Sequence, residues 1–133
     1  MNIALRNKVL DDFGVAIGTG TLTHYSGTPP VSDDAPLSGN TALAVHDGTG
    51  FEPADSGSMV ANDIAPATTL ASGRATFSRW VKGSYVQQLT IGIEGSGAQV
   101  IVAKKGVTPA ITDLDFVIDG ESAISSVTIT KGA

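Results

Sequence analysis

The sequence predicts a mainly β fold: an antiparallel β-sandwich or jelly roll with a short N-terminal helix. Three observations carry this. The runs Arg74–Lys82, Tyr85–Glu94, Ala98–Lys105, Leu114–Ile118 and Ala123–Thr130 are rich in Val, Ile, Thr and aromatics, which fit a pleated, half-buried surface. Turn chemistry separates most of them, at Gly83-Ser84, Gly95-Ser96-Gly97 and Asp119-Gly120. A helical period appears at the start, where Leu5, Val9 and Phe13 recur at a spacing of four.

The helix is expected within residues 1–18. Ile3 and Leu10 flank its apolar stripe, and Asn2 can cap its first turn. Gly14 and Gly18 can end it by taking positive φ. Asp11 and Asp12 sit near its C-terminal end, where the helix dipole disfavours anions. So short a helix depends on packing its stripe.

Residues 19–73 read as a loop-rich β part with arms. Thr21–Ser26 is a strand, with Leu22, His24 and Ser26 on one face. Pro29 and Pro30 cannot donate to a ladder, so that stretch is a turn or an extended arm. Ser32–Thr41 and Asp47–Gly57 are loops, Ala42–His46 is a short strand, and Met59–Ala71 is ambiguous because of Pro66.

Residues 74–133 read as an antiparallel meander. Gly83-Ser84 suits a two-residue II′ turn, Gly95-Ser96-Gly97 a three-residue loop, and Asp119-Gly120 a tight hairpin. Ala98–Lys105 is apolar on both faces, as a central strand would be. In the closing run Ala123, Val127 and Ile129 share a face. Arg74–Lys82 conflicts with period two: Phe77 and Val81 lie with Arg79, while Trp80 lies with Ser78 and Lys82. A bulge, a helix, a second sheet or a partner must account for Trp80.

At 133 residues the chain is the size of one domain, with no cysteine and a formal charge of −5. An acidic balance disfavours nucleic acid. No signal-like segment or spanning apolar run occurs, so the chain reads as soluble and cytosolic in origin, with no membrane partner. Charge is segregated. Val9–Gly73 holds no Lys or Arg, while Arg74, Arg79, Lys82, Lys104 and Lys105 follow against Glu94 alone. Either these are solvated surfaces, or complementary patches meet between copies.

Catalytic motifs are missing. Gly18-Thr19-Gly20 lacks the third glycine and the strand-to-helix setting of a dinucleotide loop. His24 and His46 could approach one another if their strands pair, but no third ligand is specified. Asp113, Asp115, Asp119 and Glu121 look like calcium ligands, yet Val117 and Ile118 stand where such a loop needs an oxygen ligand and a glycine. The loop acids Asp33, Asp34 and Asp47 are equally generic. The expectation is a protein that is not an enzyme, with no cofactor and no metal.

Ala4-Leu5-Arg6-Asn7-Lys8-Val9-Leu10-Asp11, then Ile17-Gly18 and Ser26-Gly27-Thr28-Pro29-Pro30, resemble a group of small structural proteins of tailed bacteriophages. Gly73-Arg74-Ala75-Thr76-Phe77-Ser78-Arg79 and Ser126-Val127-Thr128-Ile129-Thr130 are similar to the same group. The resemblance implies a virion component and brings no site residues with it.

The expected role is therefore a capsid decoration, or cement, protein on the outer capsid surface, made in the bacterial host cytoplasm. It would bridge capsomers of the major capsid protein lattice and neighbouring copies of itself, as a homo-oligomer in the assembly. Weak contacts would add through effective concentration. The alternatives are a tail or baseplate structural protein, or a receptor- or glycan-binding module on a fibre. Leu5, Val9, Pro29, Pro30, Arg79, Trp80 and Lys82 are the expected interaction residues. Removing Met1–Phe13, or reversing Arg79 and Lys82, is expected to weaken attachment while sparing the fold.

Overall fold

The computed structural model describes residues 1–103 and 114–131. In chain order it holds α1 (Ile3–Ile17), β1 (Thr21–Tyr25), β2 (Ala42–Asp47), β3 (Ser58–Val60), β4 (Ala67–Thr68), β5 (Gly73–Arg74), β6 (Phe77–Lys82), β7 (Tyr85–Leu89), β8 (Ile91–Gly92), β9 (Val100–Ala103), β10 (Asp115–Phe116) and β11 (Glu121–Thr130). The molecule is mainly β with antiparallel sheets and one short helix. The connection expected over Gly106–Asp113, with Lys104 and Lys105, lies outside the described residues.

The first sheet runs β2-β1-β6-β7, with every neighbour antiparallel. Leu22 pairs with Trp80 and His46, and His24 pairs with Ser78 and Ala44. Cross-strand partners share a face, so these side chains line one side, and all are buried. The second sheet runs β3-β11-β9-β8, and β4 adds to the start of β11. Its register slips between Ile124 and Ser126. Ile124 opposes Val102 and Val127 opposes Val100, so the bulge puts Ile124 and Val127 on one face despite their odd spacing. Ser122 and Ile129 follow by period two, which corrects the expectation that Ala123 shares the face of Val127 and Ile129. One apolar core draws Leu10 and Ile17 from the helix, Leu22, Trp80 and Leu89 from the first sheet, and Met59, Val100, Val102 and Val127 from the second.

The helix forms where expected, and the Asn2 side chain accepts from the Leu5 amide at 3.0 Å. Its rotation differs. Leu10 and Ile17 are buried, whereas Leu5 and Val9 face outward. Polar anchors set this rotation: Asn7 Oδ1 accepts from the Gly57 amide and Asp11 Oδ1 from the Ala54 amide. The helix also runs through Gly14, and Gly18 caps it at φ −53°. Gly18 is needed for close approach instead: a Cβ there would lie 2.9 Å from the Gly50 Cα.

The meander holds at one of its three turns. Lys82 pairs with Tyr85 across Gly83-Ser84, and Gly83 has φ +59°, as a II′ hairpin requires. At Gly95-Ser96-Gly97 the flanking strands are parallel, Ile91 opposing Val100. Side chains replace the hairpin ladder there: the Thr90 amide donates to Gln99 Oε1 and the Gln99 amide to Thr90 Oγ1. Asp119-Gly120 is a turn, with Asp119 at φ +69°. Its flanking strands do not pair, because β10 pairs with β5 and the start of β11 with β4. The Arg74–Lys82 run is likewise split between β5 and β6. β9 lies between β11 and β8, the central place expected for it.

Trp80 is fully buried, which resolves its period-two conflict. Its Nε1 donates to the Ile17 carbonyl at 2.6 Å, and its ring lies 4.8 Å from that of Phe51. The far face of β6 is covered as well, since Phe77 and Arg79 are also buried. Trp80→Phe keeps most of the bulk and deletes the donor. Urea unfolding should show a loss of about 0.5–1.5 kcal/mol from that bond, because the Ile17 carbonyl keeps the Gly20 amide as donor.

Candidate functional site

Polar and exposed apolar side chains gather in two places, a layer in the core and the surface around the helix. His24 and His46 lie on β1 and β2, and their rings are 5.2 Å apart. His46 Nδ1 lies 2.9 Å from the Ala65 carbonyl, which can only accept. That fixes the proton on Nδ1 and leaves Nε2 to accept from the Ser122 hydroxyl, 2.8 Å away. Ser122 belongs to β11, so this bond joins the two sheets. His24 Nδ1 lies 2.7 Å from Ser78 Oγ, and its Nε2 is buried with no partner among the described residues. A proton on Nδ1 leaves a bare acceptor at Nε2, which costs less than an unpaired N–H. Phe116 meets His24 edge-on at 5.6 Å.

A serine hydroxyl on an imidazole Nε2 is the first half of a nucleophile–base arrangement. Here a backbone carbonyl stands behind His46 in place of a carboxylate, and Ser122 is only 3% exposed. Neither histidine bonds to a carboxylate among the described residues. The layer pairs three of the four imidazole nitrogens and ties β2 to β11. No group of three or more His, Cys, Asp or Glu side chains able to hold a metal occurs among the described residues. Of the calcium candidates, Asp115 sits 3.4 Å from Arg74, Asp119 occupies a turn, and Asp113 lies outside those residues.

The expected interaction residues separate into two groups. Leu5, Val9, Pro29 and Lys82 are exposed, and Pro30 is half-buried. Lys82 Nζ donates to Thr19 Oγ1. Trp80 and Arg79 are not surface groups. Arg79 is 6% exposed and spans Gln88 Oε1 and the carbonyls of Ser32 and Ala35. Gln88 Nε2 in turn donates to the Pro30 carbonyl, and Asn40 Nδ2 to those of Ser26 and Thr28. The Pro29-Pro30 arm is therefore folded against its own sheet. Sequence reasoning missed Ser78 and Ser122 as partners of the histidines. Ser78 was reachable as the residue opposite His24, but Ser122 lies beyond a bulge that alternation hides. It also missed Val15, 88% exposed on the helix.

No protein-family model matches this chain, and no curated protein or solved structure does either. No helix among the described residues is long and apolar enough to cross a membrane.

Burial pushes His24 down to about 3, helped by the neighbouring His46. Burial also lowers His46, against the raising influence of the Ala65 carbonyl and Asp47. The unfolded chain therefore binds more protons than the folded one below the ordinary histidine value of 6.5. This stability is fully present above that value and is lost as pH falls toward about 3. Between pH 7.5 and 5, before most carboxylates titrate, unfolding free energy should fall with a limiting slope of about 1.4 kcal/mol per pH unit from His24, to which His46 adds in the same direction. Urea midpoints across that range check it, and His24→Leu should remove the larger part of the slope.

Proposed function

We propose that this chain is a non-enzymatic bacteriophage virion protein, a decoration or cement protein that binds the outside of a capsid lattice. In this reading the two main sheets form a sandwich whose interior is purely structural, and binding belongs to the surface. The observation that carries it is the uncovered side of α1. Leu5, Val9 and Val15 on α1, with Met1 and Ile3 at its start, are all exposed, while Leu10 and Ile17 are buried. Exposed apolar side chains gathered on one element are what an interaction site offers. The resemblance to phage structural proteins runs through this same segment, Ala4 to Asp11. Many weak contacts of this kind, repeated over a lattice, add through effective concentration.

The anchoring changes which variants test the reading. Removing Met1–Phe13 would take away Leu10, Asn7 and Asp11, and so damage the core. Arg79→Glu would set a carboxylate against the Ser32 and Ala35 carbonyls, and should cost stability by about 3 kcal/mol or more. Leu5→Glu, Val9→Glu and Lys82→Glu alter exposed side chains and leave those anchors in place.

Purified protein mixed with undecorated heads should co-sediment with them. Val9→Glu should lower the bound copies several-fold with unchanged circular dichroism. Raising salt to 1 M should release part of the protein, because screening then acts over about 3 Å while apolar contacts persist. Wild-type protein that ignores heads but binds tails or immobilised glycans would refute the cement role.

A further inference from the structure

We infer that α1 is the ridge of a docking surface for a protein segment that sets a large apolar side chain beside Lys or Arg. This deepens the binding role proposed above and rests on it for the partner's being a protein. Two grooves flank the helix. One, of about 490 Å³, has Gly14, Val15, Phe51 and Met59 in its lining, with Asp11 and Glu52 among them. The other, of about 480 Å³, is lined by Phe13, Ala16, Tyr85 and Val86, with Asp12 and Asp34. Each is an apolar trough carrying two carboxylates, and neither is lined by Lys or Arg.

Among the described residues, Lys8 and Lys82 lie beside the grooves, and the buried Arg79 guanidinium lies on the Ser32 and Ala35 carbonyls that flank Asp34. Lys8 pairs with Asp12 at 3.0 Å, with both side chains largely exposed, and such pairs contribute little. Lys82 bonds to Thr19, at the helix end of the first groove. Glu52 and Asp34 make no side-chain hydrogen bond or ion pair among the described residues. The C-terminal end of α1 adds the negative pole of its dipole close to Gly18 and Thr19. The surface is thus apolar in shape and acidic in potential. It repels nucleic acid and anionic lipid headgroups, and it is complementary to a basic, apolar stretch of protein. Apolar contact with the trough walls would supply affinity, and the carboxylates would choose the flanking charge.

The test uses the whole chain, ¹⁵N-labelled, titrated with three synthetic peptides of equal length. One interleaves Leu and Phe with Lys and Arg, one replaces the cations by Glu, and one replaces the apolar residues by Ser. Only the first should shift the amides of residues 11–19, 50–53 and 84–87. Val15→Asp should weaken that binding by about tenfold or more, as loss of a central apolar contact does. Asp34→Lys with Glu52→Lys should reverse the preference between the Lys/Arg and Glu peptides. No shifts, shifts elsewhere, or equal response to the Glu peptide would overturn the inference. Self-association in sedimentation that Val15→Asp abolishes would overturn it in favour of a second copy as occupant. Heads that bind wild type and Val15→Asp equally would overturn this surface and leave the cement role standing. Peptide binding as expected, with wild type ignoring heads, would overturn the cement role alone.

Discussion

The indole of Trp80 is the constraint on which the arrangement depends. It sits on the inner face of β6, and its single polar atom must find an acceptor there. The acceptor is the Ile17 carbonyl, in the last turn of the helix, where carbonyls lack intrahelical partners. This bond satisfies the indole N–H at a carbonyl that also accepts from the Gly20 amide at 2.8 Å. It also fixes the end of α1 over the first sheet. The backbone crosses close by, with the Gly48 amide bonded to the Gly20 carbonyl and the Gly50 amide to that of Gly18. A Cβ at Gly48 would overlap the indole ring. With its C-terminal end pinned here and its middle held through Asn7 and Asp11, the helix has no freedom to roll its outer apolar residues inward.

The histidine–serine layer acts differently. Burying two imidazoles and two hydroxyls adds little net stability, because each bond replaces one to water. It adds selectivity among packings. A one-residue slip of β11 would turn Ser122 away from His46 and leave an imidazole acceptor unpaired in the core. The bulge between Ile124 and Ser126 and the His46–Ser122 bond are therefore two expressions of one register. Arg79 plays a comparable part on the outer side of the first sheet, where carbonyl oxygens of the 27–40 segment receive its guanidinium.

What was legible in the sequence was local. Asn2 as a cap, Gly83-Ser84 as a hairpin and the positions of β1 and β2 all follow from chemistry within a few residues. What was not legible depended on distant partners. The spacing of Leu5, Val9 and Phe13 points to a buried stripe, yet polar anchors 43 and 50 residues away roll the helix so that Leu5 and Val9 face out. They remain the best surface candidates, for a reason opposite to the one that drew attention to them. Arg79 reads as a strand-surface charge because alternation cannot see a loop folding back over the sheet. The parallel pairing of β8 with β9 was hidden for a similar reason: glycines in a connection show that the chain turns, not which way the next strand runs.

The placement of β11 bears on how the molecule comes into being. It pairs with β3, β4 and β9, and through Ser122 it meets β2, 76 residues earlier. Every strand of the second sheet except β8 depends on it directly. On a ribosome, the earlier segments can form the helix and the β6–β7 hairpin, but the second sheet has no middle until β11 emerges. Non-local pairing of this kind makes for slow folding, since loop-closure entropy is lost before the contacts form. Until then Met59, Val100 and Val102 stand open to solvent and to other nascent chains. How long those side chains stay uncovered is thus set by how fast that single strand docks.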